Sequence, residues 1–266
     1  MRFDSASAPG GSKPNEDFFI VSPSAGIVVD GATARTDTGC IHGVSWYAAQ
    51  LGSEAHRQLL TGRELTVAVA ASIEAVTDFH RDSCDLEHPG TPSAAIGLVR
   101  IAGELIEWCA LGDVLIVLET DEGLRVITDD HDHVATSEQQ EADRYPIGTA
   151  EKTEAMLRMK HVELAARNTP GGFWVASTDP EAANHAKHGK LSADRVNRVL
   201  MLTDGAARLV SDFDLAEWPG VLNLVSDKGI DELIRLVREA EDSDPVGERW
   251  PRNKKSDDAT AVLLKL

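Results

Sequence analysis

Apolar residues recur along this chain with two different periods, and the periods divide it into strands and helices. Two short apolar runs, Phe18 to Val21 and Ile27 to Val29, flank the turn-forming stretch Ser22-Pro23-Ser24-Ala25-Gly26, which predicts a β-hairpin. Pairing Ser22 with Ile27 sets Phe19 opposite Asp30 and brings Glu16, Asp17 and Asp30 to one end of it. The period then lengthens. Val44, Tyr47, Leu51, Ala55 and Leu59, followed by Leu65, Val69, Ile73, Val76 and Phe79, repeat every three to four residues and predict two amphipathic helices. Thr61-Gly62-Arg63-Glu64 between them has the form of a capping box.

From Ala95 the pattern returns to strands: Ala95 to Ile101, Leu105 to Leu111, Val114 to Glu119 and Leu124 to Thr128, with breaks at Ala102-Gly103 and Gly112-Asp113. This order predicts an antiparallel meander. Asp129 to Asp143 is polar and reads as loop, Gly172 to Ala176 as a strand, and Asp179-Pro180 as the start of a short helix closed by Gly189. Val199 to Leu202 predicts a strand running into Thr203-Asp204-Gly205. Ile230, Leu233, Ile234 and Val237 mark a late helix, and Ala261 to Leu266 a last strand. With no internal repeat or boundary-like linker, an α+β protein with one domain over residues 1–266 is expected.

Charge narrows the partners. The 44 acidic against 26 basic side chains leave a net charge of −18, which repels nucleic acid and anionic membrane. Cys40, Cys84 and Cys109 include no C-x-x-C pair, so neither a disulfide framework nor a zinc knuckle is indicated, and a reduced, cytoplasmic setting is expected. Residues 1–11 carry no apolar leader pattern, and no stretch approaches the roughly 20 apolar residues of a membrane span. Nucleotide-binding and serine-hydrolase signatures do not occur.

The chemistry gathers at aspartates. Apolar strands end or begin at one in Ile27-Val28-Val29-Asp30-Gly31, Leu111-Gly112-Asp113, Leu200-Met201-Leu202-Thr203-Asp204-Gly205 and Asp257-Asp258-Ala259. A single strand-end aspartate is ordinarily a turn residue. Several of them converging with Glu16-Asp17 on one sheet edge would repel one another strongly unless cations neutralised them. Oxygen donors without His or Cys suit Mg²⁺ or Mn²⁺ rather than zinc, and the glycines after Asp30 and Asp204 permit tight turns and close backbone approach.

In this order, Asn15-Glu16-Asp17, Asp30-Gly31, Gly112-Asp113, Thr203-Asp204-Gly205 and Asp257-Asp258-Ala259-Thr260 resemble the motif series of the PP2C/PPM phosphatases, across nearly the whole chain. The tract from Gly172 to His185 and Pro251-Arg252-Asn253-Lys254 resemble a bacterial branch of that family. The resemblance implies an αββα sandwich of two antiparallel sheets and a Mg²⁺- or Mn²⁺-dependent phosphatase acting on phosphoserine or phosphothreonine in proteins. It implies that Asp30 bridges two ions and that the Gly31 carbonyl binds one of them. Asp204 and Asp257, with Asp258 beside it, would serve the other; Asp17 with Glu16 would complete the first, and Asp113 would hold a third. Water activated by the ion pair would attack phosphorus in line, with no phosphoenzyme. Thr91-Pro92-Ser93-Ala94-Ala95 would be structural. Departures are clear: Ser12 stands where many members carry a phosphate-gripping arginine, with Lys13 next to it as a substitute point charge. Ala32-Thr33-Ala34 stands where further glycine and a histidine occur, and Val114 where serine is common.

Two other readings compete. Ser12 and Ala32 motivate a weak or inactive module that binds a phosphorylated partner without turnover. Asp130-His131-Asp132-His133-Val134 fits the D-x-D-x-[TV] signature of haloacid-dehalogenase-like phosphatases, with Asp130 as nucleophile and Lys255 and Asp257-Asp258 completing the set. His131/His133 and His185/His188 have zinc-compatible spacing but read as solvated histidines.

Overall fold

A computed structural model describes residues 2–129 and 136–266. Their strands form two antiparallel sheets. One has the order β1 (Arg2–Ala8), β10 (Ala259–Lys265), β9 (Val196–Leu202), β6 (Leu115–Thr120), β7 (Gly123–Ile127). The other has the order β2 (Phe18–Ser22), β3 (Ala25–Gly31), β4 (Ala94–Ala102), β5 (Leu105–Leu111), β8 (Lys187–Ser192).

Alternation along the strands builds four layers. Ile27, Val29, Ile96 and Leu98 face α1 (Val44–Leu59) and α2 (Leu65–His80), where they meet Leu51, Ile73 and Val76. Val28 and Val99 point the other way, onto Ile116, Met201 and Val262 of the second sheet. Leu200, Leu202 and Leu263 in turn face α5 (Asp204–Ser211), α6 (Trp218–Lys228) and α7 (Ile230–Ser243). Each sheet is covered on both faces, which is why its central strands read as unbroken apolar runs rather than as alternation. Outside these layers α3 (Ser137–Ala142) and α4 (Ala150–Ala166) pack on each other through Ala142, Ala155 and Met156. No helix among the described residues is long and apolar enough to cross a membrane.

Several local expectations are corrected. Ser22 pairs with Ala25, not Ile27, because Pro23-Ser24 alone makes the turn and the small Ala25 and Gly26 join the strand. The meander is split at Gly112-Asp113: β4 and β5 stay in one sheet while β6 and β7 cross to the other. No capping box forms. Thr61 Oγ1 instead donates to the Gln58 carbonyl at 2.7 Å and finishes α1, and Glu64 stands at the start of α2 without a side-chain cap. Gly172 to Ala176 contributes only isolated bridges, Phe173 to Arg167 and Ala176 to Ala94. The helix after Asp179 is a 3₁₀ turn, Pro180–His185, that stops before β8, so Gly189 lies in a strand. The polar stretch 129–143 contains α3, capped by Thr136 Oγ1 on the Gln139 N–H. The Asp130 to Val134 motif lies outside the described residues, while Lys255 pairs with Asp242 at 2.6 Å.

Candidate metal centre

Strand ends carry the acidic residues to one edge of the sandwich. Phe18 pairs with Val29, so one further step of the same register sets Asp17 beside Asp30. Asp204 opens α5 directly after β9, Asp257 and Asp258 precede β10, which pairs with β9, and Asp113 sits at the crossing between the sheets.

Asp30 is at the centre. Its Oδ2 accepts the Asp204 N–H at 3.3 Å, so the first turn of α5 faces it. Burial, and then the charges of Asp204, Asp17, Asp113 and Asp257, push its carboxyl well above the usual range. Asp17 is buried and pushed up to about 7, chiefly by that burial, although the Thr260 and Thr203 hydroxyls favour its charged form. Thr203 Oγ1 donates to Asp17 Oδ2 at 2.9 Å and accepts the Thr260 N–H at 3.0 Å, which ties β9 and β10 to the hairpin. Asp204 is pushed up to about 8 by the protein around it and by Asp257 and Asp113. Its side chain meets solvent at the mouth of the site.

The flanking acids are held differently. Asp258 accepts the Gly10 and Glu16 N–H groups, one on each oxygen, both at 2.7 Å, and so clamps the first loop to β10. Asp257 lies between two cations. Arg208 reaches it at 3.2 Å and Lys254 pairs with its other oxygen. Lys254 also donates to Thr33 Oγ1 at 2.9 Å, and that hydroxyl donates to Glu16 Oε2 at 2.6 Å. Lys13 is exposed at the rim of an open cleft of about 380 Å³, which Arg35, Lys152 and Asn253 also line. Arg35 is half-buried within the fields of Glu163, Asp257 and Glu16.

The donors around Asp30 are hard oxygens, with no thiolate or imidazole among the residues named. Their mutual repulsion is only partly answered by Lys254 and Arg208. That set fits small divalent ions such as Mg²⁺ or Mn²⁺, which keep much of their own water and tolerate widely spaced carboxylates. No role is assigned from the sequence to Lys254, Arg35, Arg208 or Thr203. The Thr203-Asp204-Gly205 motif contained the signal for Thr203, and the Pro251-Arg252-Asn253-Lys254 tract the one for Lys254; for Arg35 and Arg208 no local signal exists, since each reads as an ordinary solvated charge.

A family profile described as Protein phosphatase 2C matches residues 9–241. No curated protein matches the sequence significantly. Among solved structures, the serine/threonine phosphatase PstP/Ppp of Mycobacterium tuberculosis aligns over 100% of this chain and 98% of its own, with TM-score 0.58 and 14% identity. Stp1 of Staphylococcus aureus aligns over 100% and 95%, with TM-score 0.59 and 13% identity. The catalytic domain of PstP in complex with two manganese ions aligns over 98% and 96%, with TM-score 0.56 and 18% identity. The two covered sheets described above are the fold these structures share with this chain.

Proposed function

The chain belongs to the protein phosphatase 2C family, and from that membership we propose that residues 1–266 act as one metal-dependent phosphomonoester hydrolase directed at phosphoserine or phosphothreonine in proteins. The observation that carries the reading is the ring of Asp204, Asp17, Asp113 and Asp257 around the recessed Asp30 carboxyl. No purely structural role asks for so many like charges around one half-buried acid.

Asp30, Asp204 and Asp257, with Asp17, Glu16 and the Gly31 carbonyl, would hold two Mg²⁺ or Mn²⁺ ions, and Asp113 a third. Bound there, the ions would supply an activated water and neutralise the charge developing on phosphate. The chain's own residues prepare that event. Thr203 orients Asp17, Asp258 keeps the Glu16 loop in place through its two backbone bonds, and the Asp204 N–H fixes one Asp30 oxygen. Lys254, Arg35 and Lys13 attract the phosphate dianion from the open cleft and stand in for the arginine replaced by Ser12. An open cleft also suits a protein side chain better than an enclosed small molecule. The phosphatases named by the structural neighbours support the serine/threonine class, and the manganese complex of PstP supports the ion type.

The test is phosphate release from a phosphothreonine peptide with Mn²⁺, with and without chelator, for the wild type, Asp30→Asn and Asp204→Asn. Loss of ion-derived charge stabilisation worth several kcal/mol lowers kcat/KM by about a hundredfold or more. Wild-type rates and Mn²⁺ affinity in either variant would sink the assignment.

A further inference from the structure

A second group of ligand-type side chains lies away from the aspartates. Cys40, on the loop between Gly31 and α1, meets the C-terminal end of α2, where His80 is the last helical residue and Cys84 follows one turn on. Cys40 Sγ is 3.5 Å from His80 Nδ1 and 3.0 Å from Cys84 Sγ. The three ligand atoms all lie within 4.8 Å of one another. The backbone knits the same two segments together, with the Asp85 N–H donating to the Gly39 carbonyl at 2.9 Å.

We propose that Cys40, His80 and Cys84 bind a structural zinc ion, with His42 supplying the fourth ligand. Zinc–sulfur distances of about 2.3 Å and zinc–nitrogen distances of about 2.0–2.1 Å in a tetrahedron set the sulfur–nitrogen edge near 3.6 Å and the sulfur–sulfur edge near 3.8 Å. The Cys40–His80 separation already meets the first value, and the two sulfurs open by less than about 1 Å to meet the second.

His80 supplies an independent observation. It is 1% exposed, one ring nitrogen faces only sulfur, and Nε2 has no hydrogen-bond partner among the described residues. Ligation through Nδ1, the nitrogen that faces the sulfurs, fixes the ring's remaining proton on Nε2, so the ion answers the sulfur-facing nitrogen and leaves Nε2 as it is. Burial and the bond with Cys84 push the Cys40 thiol up, against the N–H groups of His42 and Gly43; Cys84 is lowered despite its burial, by Cys40 and the Ile41 N–H, so it is the readier thiolate of the two. His42 is exposed, stacks on Trp46 at 4.2 Å with its ring centre 6.2 Å from that of His80, and holds Nε2 3.2 Å from Ser83 Oγ, so it takes the fourth vertex by exchanging that hydroxyl for the ion. Thiolate and imidazole ligands select zinc over the Mg²⁺ or Mn²⁺ suited to the carboxylates. The ion would staple the loop that follows Asp30-Gly31 to the end of α2.

Cobalt tests this directly. Reduced protein titrated with Co²⁺ is expected to develop the intense visible bands of a tetrahedral ion and a near-ultraviolet thiolate charge-transfer band. The signal saturates at one ion per chain, is displaced by Zn²⁺ and not by Mg²⁺, persists in Asp30→Asn and disappears in Cys84→Ser. Zinc is also expected to protect two thiols from alkylation. If the unmutated protein gives only the weak absorption of an oxygen-ligated ion, or Cys40 and Cys84 alkylate at the same rate with and without zinc, no such site exists. Recovery of Cys40 and Cys84 as a disulfide under the same reducing conditions overturns the proposal equally. These readouts on the unmutated chain decide the matter even if Cys84→Ser fails to fold.

Discussion

An alanine methyl at position 205 would stand 1.9 Å from the Asp258 carbonyl oxygen and 3.0 Å from Asp257 Cβ. At Gly31 the added carbon would meet the Glu16 carbonyl oxygen at 2.5 Å. Neither glycine has a positive φ. Of the two uses read from the sequence, they serve close backbone approach and not a tight turn, and the room lets α5 and the Asp257-Asp258 segment lie against each other. Gly205→Ala therefore pushes that segment away from Asp204. The expected cost is about 1–3 kcal/mol of overpacking strain, read by urea unfolding, together with weaker Mn²⁺ binding in a calorimetric titration. Unchanged stability and affinity would mean that the two segments separate freely and that close packing does not position the acids.

Between elements, the position of Asp257 is set by a buried chain of charges. Arg238 and Glu241 of α7 pair at 2.9 Å, Glu241 meets Arg208 of α5 at 2.7 Å, and Arg208 meets Asp257. Arg208→Met leaves the fully buried Glu241 with Arg238 alone. Breaking a buried ionic network costs about 3–5 kcal/mol, and the remaining arginine places this case at the lower end. A loss below about 1 kcal/mol in chemical denaturation would show that α7 does not brace the site. None of this chain was legible beforehand, because its partners lie on different elements. What could be read were elements with a strong local signature: α1, α2 and α7 from their apolar stripes, β3, β5, β9 and β10 from apolar runs ending near aspartate. The edge strands β1 and β8 escaped notice because Arg2-Phe3-Asp4-Ser5-Ala6-Ser7-Ala8 and Lys187-His188-Gly189-Lys190-Leu191-Ser192 bury too little to impose a pattern. The split of the meander between sheets escaped for another reason: strand pairing is long-range, and a Gly-Asp break reads the same whether the chain turns back or crosses over. Cys40 and Cys84 were likewise too far apart to register as a pair.

On the scale of the whole molecule, 44 acidic side chains against 26 basic ones already oppose compaction, and the site concentrates that opposition. Asp17 and Asp204 are raised from an ordinary carboxylate value to about 7 and about 8, and Asp30 is raised as well. An acid whose folded value lies above its unfolded one holds its proton longer in the native state. Native protein then binds more protons than unfolded protein between about pH 4 and pH 8, so stability is greatest at the acid end of that window and falls as pH rises through it. Protein stripped of divalent ions is expected to lose several degrees of thermal midpoint between about pH 5 and pH 8, the window set by Asp17 and Asp204. Mn²⁺ has the opposite dependence, because its ligands must be deprotonated before they bind. Its stabilisation should be small near pH 5 and largest near pH 8, so that loaded and stripped protein diverge as pH increases. Asp30→Asn removes the central charge and should flatten the metal-free profile while abolishing most of the Mn²⁺ effect. A stripped midpoint that stays level or climbs across the window would mean that the clustered acids ionise without strain, and that no bound ion is needed to hold them together.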